Sequence, residues 1–175
     1  MALAVLVPVV VVLVVLSHVL GGRAASSRTA TVAGPTSSAR ADLPVLSVPV
    51  PPVTPQAAAF CPALMKKLPV TLEGEQSRRV RSASPFAYAW GDPAVVLRCG
   101  VPAPTGYVRG ASLIQINSVQ WYVDTSDHSV TVWTAVDRPV YVEVRLPSSV
   151  DSAPVTALTG PIAAALPYRE PTPGK

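Results

Sequence analysis

Prolines limit this chain more than any other feature. There are twenty of them among 175 residues, far above ordinary usage. They crowd into loops and one linker, so elements must be short and end at firm stops. The densest stretch is Leu43-Pro44-Val45-Leu46-Ser47-Val48-Pro49-Val50-Pro51-Pro52-Val53-Thr54-Pro55. It cannot be helical and lacks the N–H donors of a central strand. Its natural state is extended polyproline II, at about 3.1 Å per residue. Residues 23–55, rich in Ser, Thr, Ala, Pro and Val, are therefore expected to form a stiff spacer. A docking ligand for an aromatic groove is the minor alternative, because the valines follow no repeat.

Before the spacer, residues 2–20 form an apolar run broken only by Pro8, Ser17 and His18. That is close to the roughly 20 residues a membrane-crossing helix needs and longer than the roughly 7–15 of a signal-peptide core. Gly22-Arg23-Ala24 makes a poor cleavage site, so residues 1–22 read as a retained anchor rather than a cleaved signal. No cysteine ends the run, so lipid attachment has no support. His18, near the end of the run, belongs at the interface. The basic residues oppose export: none precedes the run, while Arg23, Arg28 and Arg40 follow it, an arrangement that favours a cytoplasmic domain. The cysteines, below, weigh the other way. The expectation is a single N-terminal span with the domain on the extracytoplasmic side.

What is left is one modest domain, large enough to fold alone with little margin. The net charge of +4 comes from scattered lysines and arginines without interleaved aromatics, which is no nucleic-acid footprint. The only local cluster is Arg78, Arg79 and Arg81. It reads as a solvated strand face before it reads as a contact for anionic lipid or wall polymer.

The domain is expected over residues 56–167, with a loose tail at 168–175. Residues 56–68 read as a helix because Phe60, Leu64 and Leu68 recur at four-residue spacing. Pro62 then belongs in the first turn, and Pro69 stops the helix. Strand signals follow at 86–90 and 94–99, around the turn Gly91-Asp92-Pro93. More lie at 113–117 and 119–123, then at 130–135 and 139–146. The last alternates cleanly, with Val140, Val142, Val144 and Leu146 on one face and Tyr141, Glu143 and Arg145 on a solvated one. Residues 151–166 read as a helix capped by Asp151 or Ser152 and broken or kinked at Gly160-Pro161. The order is α+β: a small antiparallel sheet of about five or six strands with an N-terminal and a C-terminal helix.

Cys61 and Cys99 lie in this domain, downstream of an export-like segment, which favours one disulfide. Closing that loop stabilises the fold by roughly 4 kcal/mol on the chain-entropy account. A metal reading lacks further ligands, and the C-x-x-C spacing of a redox pair is absent.

Several segments resemble the actinobacterial domain of unknown function 3515 family. They are Phe60-Cys61-Pro62-Ala63-Leu64 through Leu68-Pro69, and Ala89-Trp90-Gly91-Asp92-Pro93-Ala94-Val95-Val96-Leu97-Arg98-Cys99-Gly100-Val101. Trp121, Asp137-Arg138-Pro139-Val140-Tyr141-Val142-Glu143-Val144 and an alanine-rich helix ending at Leu166-Pro167 continue the match. The resemblance spans roughly residues 60–167 and is most specific over 90–99. It implies an exported or membrane protein of actinobacteria and carries no established activity.

No catalytic signature stands out. There is no G-x-S-x-G, P-loop or G-x-G-x-x-G, and no cofactor is implied. His128 sits in the turn Asp124-Thr125-Ser126-Asp127-His128, where Asp-x-x-Asp-His could hold a cation. Turns select those residues for backbone reasons in any case. Asp92, Asp124, Asp127, Asp137 and Glu143 supply carboxylates, with nothing in their spacing to pair two of them. Two readings result. One is a non-catalytic, membrane-tethered envelope domain that binds a protein or wall component, with Trp90, Asp92 and Trp121 as candidate partner-binding residues, although the turn itself favours a core-capping Trp90 and a turn-shaping Asp92. The other is a hydrolase or metal-dependent enzyme assembled from scattered carboxylates and His128.

Overall fold

A computed structural model describes residues 42–175. The apolar run, His18 and the spacer up to residue 41 lie outside the described residues. Among the described residues no helix is long and apolar enough to cross a membrane.

The proline-rich stretch at the end of the expected spacer is not free. Leu46–Ser47 forms a short strand, β1, parallel to a later one, β4 (Val80–Arg81). The amides of Leu46 and Val48, two residues that are not proline, donate to Arg79 O and Arg81 O, both at 2.9 Å. Val48 is buried. The expected domain start at residue 56 is thus too late. Proline forbids a central strand, yet alternate donors suffice for a short one at an edge.

Helix α1 spans Pro55–Met65. Thr54 caps it, its hydroxyl accepting from the Ala57 amide at 3.1 Å, and Pro55 fills the first position, where no N–H is needed. Pro62 lies in the helix interior, not in the first turn as the sequence suggested. The loss of one ladder bond is tolerated because Ala57, Cys61 and Leu64 bury a continuous stripe.

Next come β2 (Thr71–Leu72) and β3 (Glu75–Gln76), a hairpin with no counterpart among the expected strands. Glu73 and Gly74 join them with φ of 49° and 84°, the two positive values of a tight type I′ connection.

The main sheet has six strands: β5 (Ala87–Trp90), β6 (Val95–Val101), β7 (Ile114–Ile116), β8 (Val119–Asp124), β9 (Val130–Ala135) and β10 (Tyr141–Pro147). Their spatial order is β5-β6-β10-β9-β8-β7, with every neighbour antiparallel. Each expected strand is present to within two residues at either end, and the architecture is α+β.

Helix α2, Ala153–Ala165, starts where the Asp151 carboxylate accepts from the Ala153 amide at 2.9 Å. The expected break at Gly160-Pro161 does not occur. Val155, Leu158, Thr159 and Ile162 form an unbroken buried stripe across it. Burial of that stripe, at roughly 25 cal/mol per Å², outweighs one missing hydrogen bond.

The core lies between one sheet face and the two helices. It includes Leu64, Trp90, Leu97, Trp121, Val142, Val144, Leu158 and Ile162. The Cys61–Cys99 disulfide ties α1 to β6, with the Cα atoms 5.8 Å apart. At the following residue, Gly100, φ is +83° and a Cβ would come within 2.5 Å of Ala57. Glycine is needed there for both reasons.

The tail is not loose. The Arg169 amide donates to Asp137 O at 2.8 Å, while Gly174 accepts from the Arg109 amide and donates to Tyr107 O. Backbone pairing with the loop after β6 holds it in place, a partner no local pattern announces.

Candidate functional site

The sheet face without helices carries Arg98, Thr134, Glu143 and Arg145, because cross-strand register places side chains two apart on one surface. Glu143 stands opposite Arg98 on β6 and opposite Thr134 on β9. Arg98 grips Glu143 with two nitrogens: Nε to Oε1 at 2.9 Å, and Nη2 to Oε1 and Oε2 at 2.7 and 2.8 Å. Its remaining Nη1 donates to Pro49 O at 2.7 Å, pinning the proline-rich segment over the sheet. Arg145 Nη1 lies 3.6 Å from Glu143. Glu143 is buried, so the solvated face expected for this strand is in fact partly roofed.

The roof leaves two cavities that share Arg98 and Arg145. One, of about 420 Å³, lies between residues 46–49 and Ala94, Val96, Arg98 and Arg145. The other, of about 350 Å³, lies between Pro51 and the loop 101–105, and Asp124, Val132, Thr134 and Glu143 line it with the two arginines. A small ligand site commonly occupies roughly 300–1,000 Å³.

Breaking the ion pair at the floor should be costly. Its side chains are only 17% and 11% exposed, so Glu143→Gln would leave the Arg98 guanidinium short of its partner. A loss of about 2 kcal/mol is expected. It is measured as a lower urea midpoint at unchanged slope, and much of it returns in Arg98→Met/Glu143→Leu.

Of the candidate partner-binding residues, Trp90 and Asp92 line one cavity, while Trp121 does not reach it. Trp90 and Trp121 are both fully buried. The Trp90 indole donates to Pro69 O at 2.8 Å, and Trp121 meets Trp133 edge-on at a ring distance of 6.3 Å. Both rings pack into the core, the favoured role for Trp90, although Trp90 also lines a cavity beside Asp92. Asp92, after Gly91 and before a cis bond to Pro93, is mostly exposed and 3.5 Å from Arg78. It borders a cavity of about 400 Å³ together with Glu73, Glu75 and Asp151. Arg78 is buried, not part of a solvated face. It donates to Gly91 O and Pro44 O, each at 3.1 Å, so the turn and the proline-rich segment share one clamp.

Asp124 and Asp127 serve their own turn. Asp124 accepts from the Ser126 amide, and Asp127 from the amide and hydroxyl of Ser129. These bonds hold both carboxyls below the usual aspartate range. His128 beside them is exposed. Asp137 is buried; burial pushes its carboxyl up, against the Gln120 amide at 3.0 Å and Arg138 at 3.4 Å. Of the five candidate carboxylates, Asp124 and Glu143 line a common cavity. Among the described residues no group of three or more His, Cys, Asp or Glu side chains could hold a metal ion. The groove residues Arg98 and Arg145 were missed because the groove depends on register between strands, which sets Arg98 against Glu143, 45 residues on.

Fold and site together define a disulfide-linked α+β domain with a polar groove on the open face of its sheet. The family model described as "Protein of unknown function (DUF3515)" matches residues 2–171. The chain belongs to that family. No curated protein and no solved structure matches it.

Proposed function

We propose that this chain is a non-catalytic cell-envelope domain, held at the membrane by its apolar N-terminus, that binds a protein or wall component in the groove on its open sheet face. One observation carries the reading. The groove floor is a fixed Arg98–Glu143 pair, while Arg145 and Asp124 line the same cavity without an ion pair between them. Charge fixed in advance at a concave surface favours recognition with little reorganisation.

The state of the carboxylates in and around the groove supports binding over catalysis there. Glu143 is engaged by Arg98, Asp137 is buried against Arg138, and Asp124 and Asp127 brace a turn. A general acid or base needs a free proton site within reach of substrate. The extracytoplasmic location rests on the apolar run and the disulfide, and the actinobacterial setting on the sequence resemblance.

A photo-crosslinking residue at Ala103, on the exposed groove rim, tests the reading in native membranes against the same residue at Ala164, exposed on α2. A discrete adduct at Ala103 that is weak or missing at Ala164 is expected, and a reporter active only after export should work when fused after Lys175. Equal crosslinking from both positions would remove the groove. A cytoplasmic reporter signal would remove the envelope assignment.

A further inference from the structure

The chemistry of the groove can be taken one step further, resting on the binding role proposed above. Arg145 stands opposite Val132 on β9, and Val132 stands opposite Asp124 on β8. The three therefore form one cross-strand row on the open face, cation, apolar, anion. Neighbouring strands lie about 4.8 Å apart, so the two charged residues start about 10 Å apart. Both line the cavity of about 350 Å³. The same cavity is also lined by Pro51, Pro102, Pro104 and Val101. Proline rings offer apolar faces and no N–H donors.

The other charges there are accounted for. Glu143 already accepts three bonds from Arg98. Arg145 is 38% exposed, 3.6 Å from Glu143 and within electrostatic reach of Asp127. Its guanidinium has five donors, so several remain for a ligand. The Ser126 amide and hydroxyl hold the Asp124 carboxyl below the usual aspartate range.

We infer that this cavity takes a short, extended, peptide-like zwitterion, its carboxylate on Arg145, its ammonium on Asp124 and its apolar middle over Val132. Three extended residues span about 10 Å, the spacing of the row. A guanidinium and a carboxylate supply the two charge-assisted contacts such a ligand needs.

Trialanine with free ends is the probe, titrated by calorimetry or NMR into the full chain in detergent. Saturable binding is expected. N-acetylation and C-amidation should each weaken it about tenfold, the usual magnitude for one charge-assisted hydrogen bond. Arg145→Gln should weaken the free peptide similarly and abolish the effect of amidation, whereas Arg145→Lys retains most of the binding. Asp124→Asn should abolish the effect of acetylation. Matching thermal melts for the three variants separate loss of ligand from loss of fold.

Equal binding of free and doubly blocked peptide, or no saturable binding up to millimolar concentration, overturns the inference. If Ala103 still crosslinks selectively in that case, the groove stands and only the ligand class fails. If Ala103 and Ala164 crosslink alike, the groove itself fails.

Discussion

Replacing Cys61 and Cys99 together with alanine should lower the stability of the domain by about 4 kcal/mol. The bond closes a loop of 38 residues, and cross-linking a loop of that length removes a large share of the unfolded chain's freedom. A domain of this size is stable by about 5–15 kcal/mol in total. The melting temperature should therefore fall by on the order of 15 °C. The bond joins α1 to β6, and both cysteines are buried in the core, so the truncated side chains also leave a small cavity. Thermal and urea melts of the double variant against the parent measure the effect. Peptide mapping without reductant, on protein from its native host, should show one linked pair. Two freely alkylated thiols would remove the bond and much of the case for export.

Trp90→Ala should cost about as much, ~3–5 kcal/mol. The ring is fully buried, packs on Tyr88 at a centroid distance of 4.6 Å, and donates to Pro69 O. Its truncation opens a large void between the sheet and the segment after α1. Trp90→Phe, which keeps most of the volume and loses the hydrogen bond, should cost nearer 1 kcal/mol. Asp92→Asn two residues on should cost less still, since its ion pair is long and its side chain 60% exposed. Urea midpoints of the three variants test the order. A stable Trp90→Ala that instead lost the Ala103 crosslink would return this residue to the binding surface.

These two effects come from parts of the chain that differ in how firmly the sequence settles them. The cysteine pairing followed from count and context. For Trp90 the sequence favours a core role without excluding a partner-facing one, because a tryptophan at a turn can face either way and packing decides. Arg78 shows the same limit. It sits in a run of arginines that looks solvated, yet one carbonyl of the β5–β6 turn and one of the proline-rich segment draw its guanidinium inside.

Periodicity determined the α+β class, the six main strands and both helices, since alternation and four-residue spacing are local properties of a chain. Tertiary structure alone decided the rest. The residues around Leu46–Ser47 became an edge strand, Pro161 remained inside a helix, and the last residues paired with the loop after β6. The groove arose the same way, when register set Glu143 beside Arg98 and aligned Arg145 with Asp124 across Val132. In each case the partner is distant along the chain. Its contribution outweighs local propensity, which is worth at most about 1 kcal/mol per residue, proline aside.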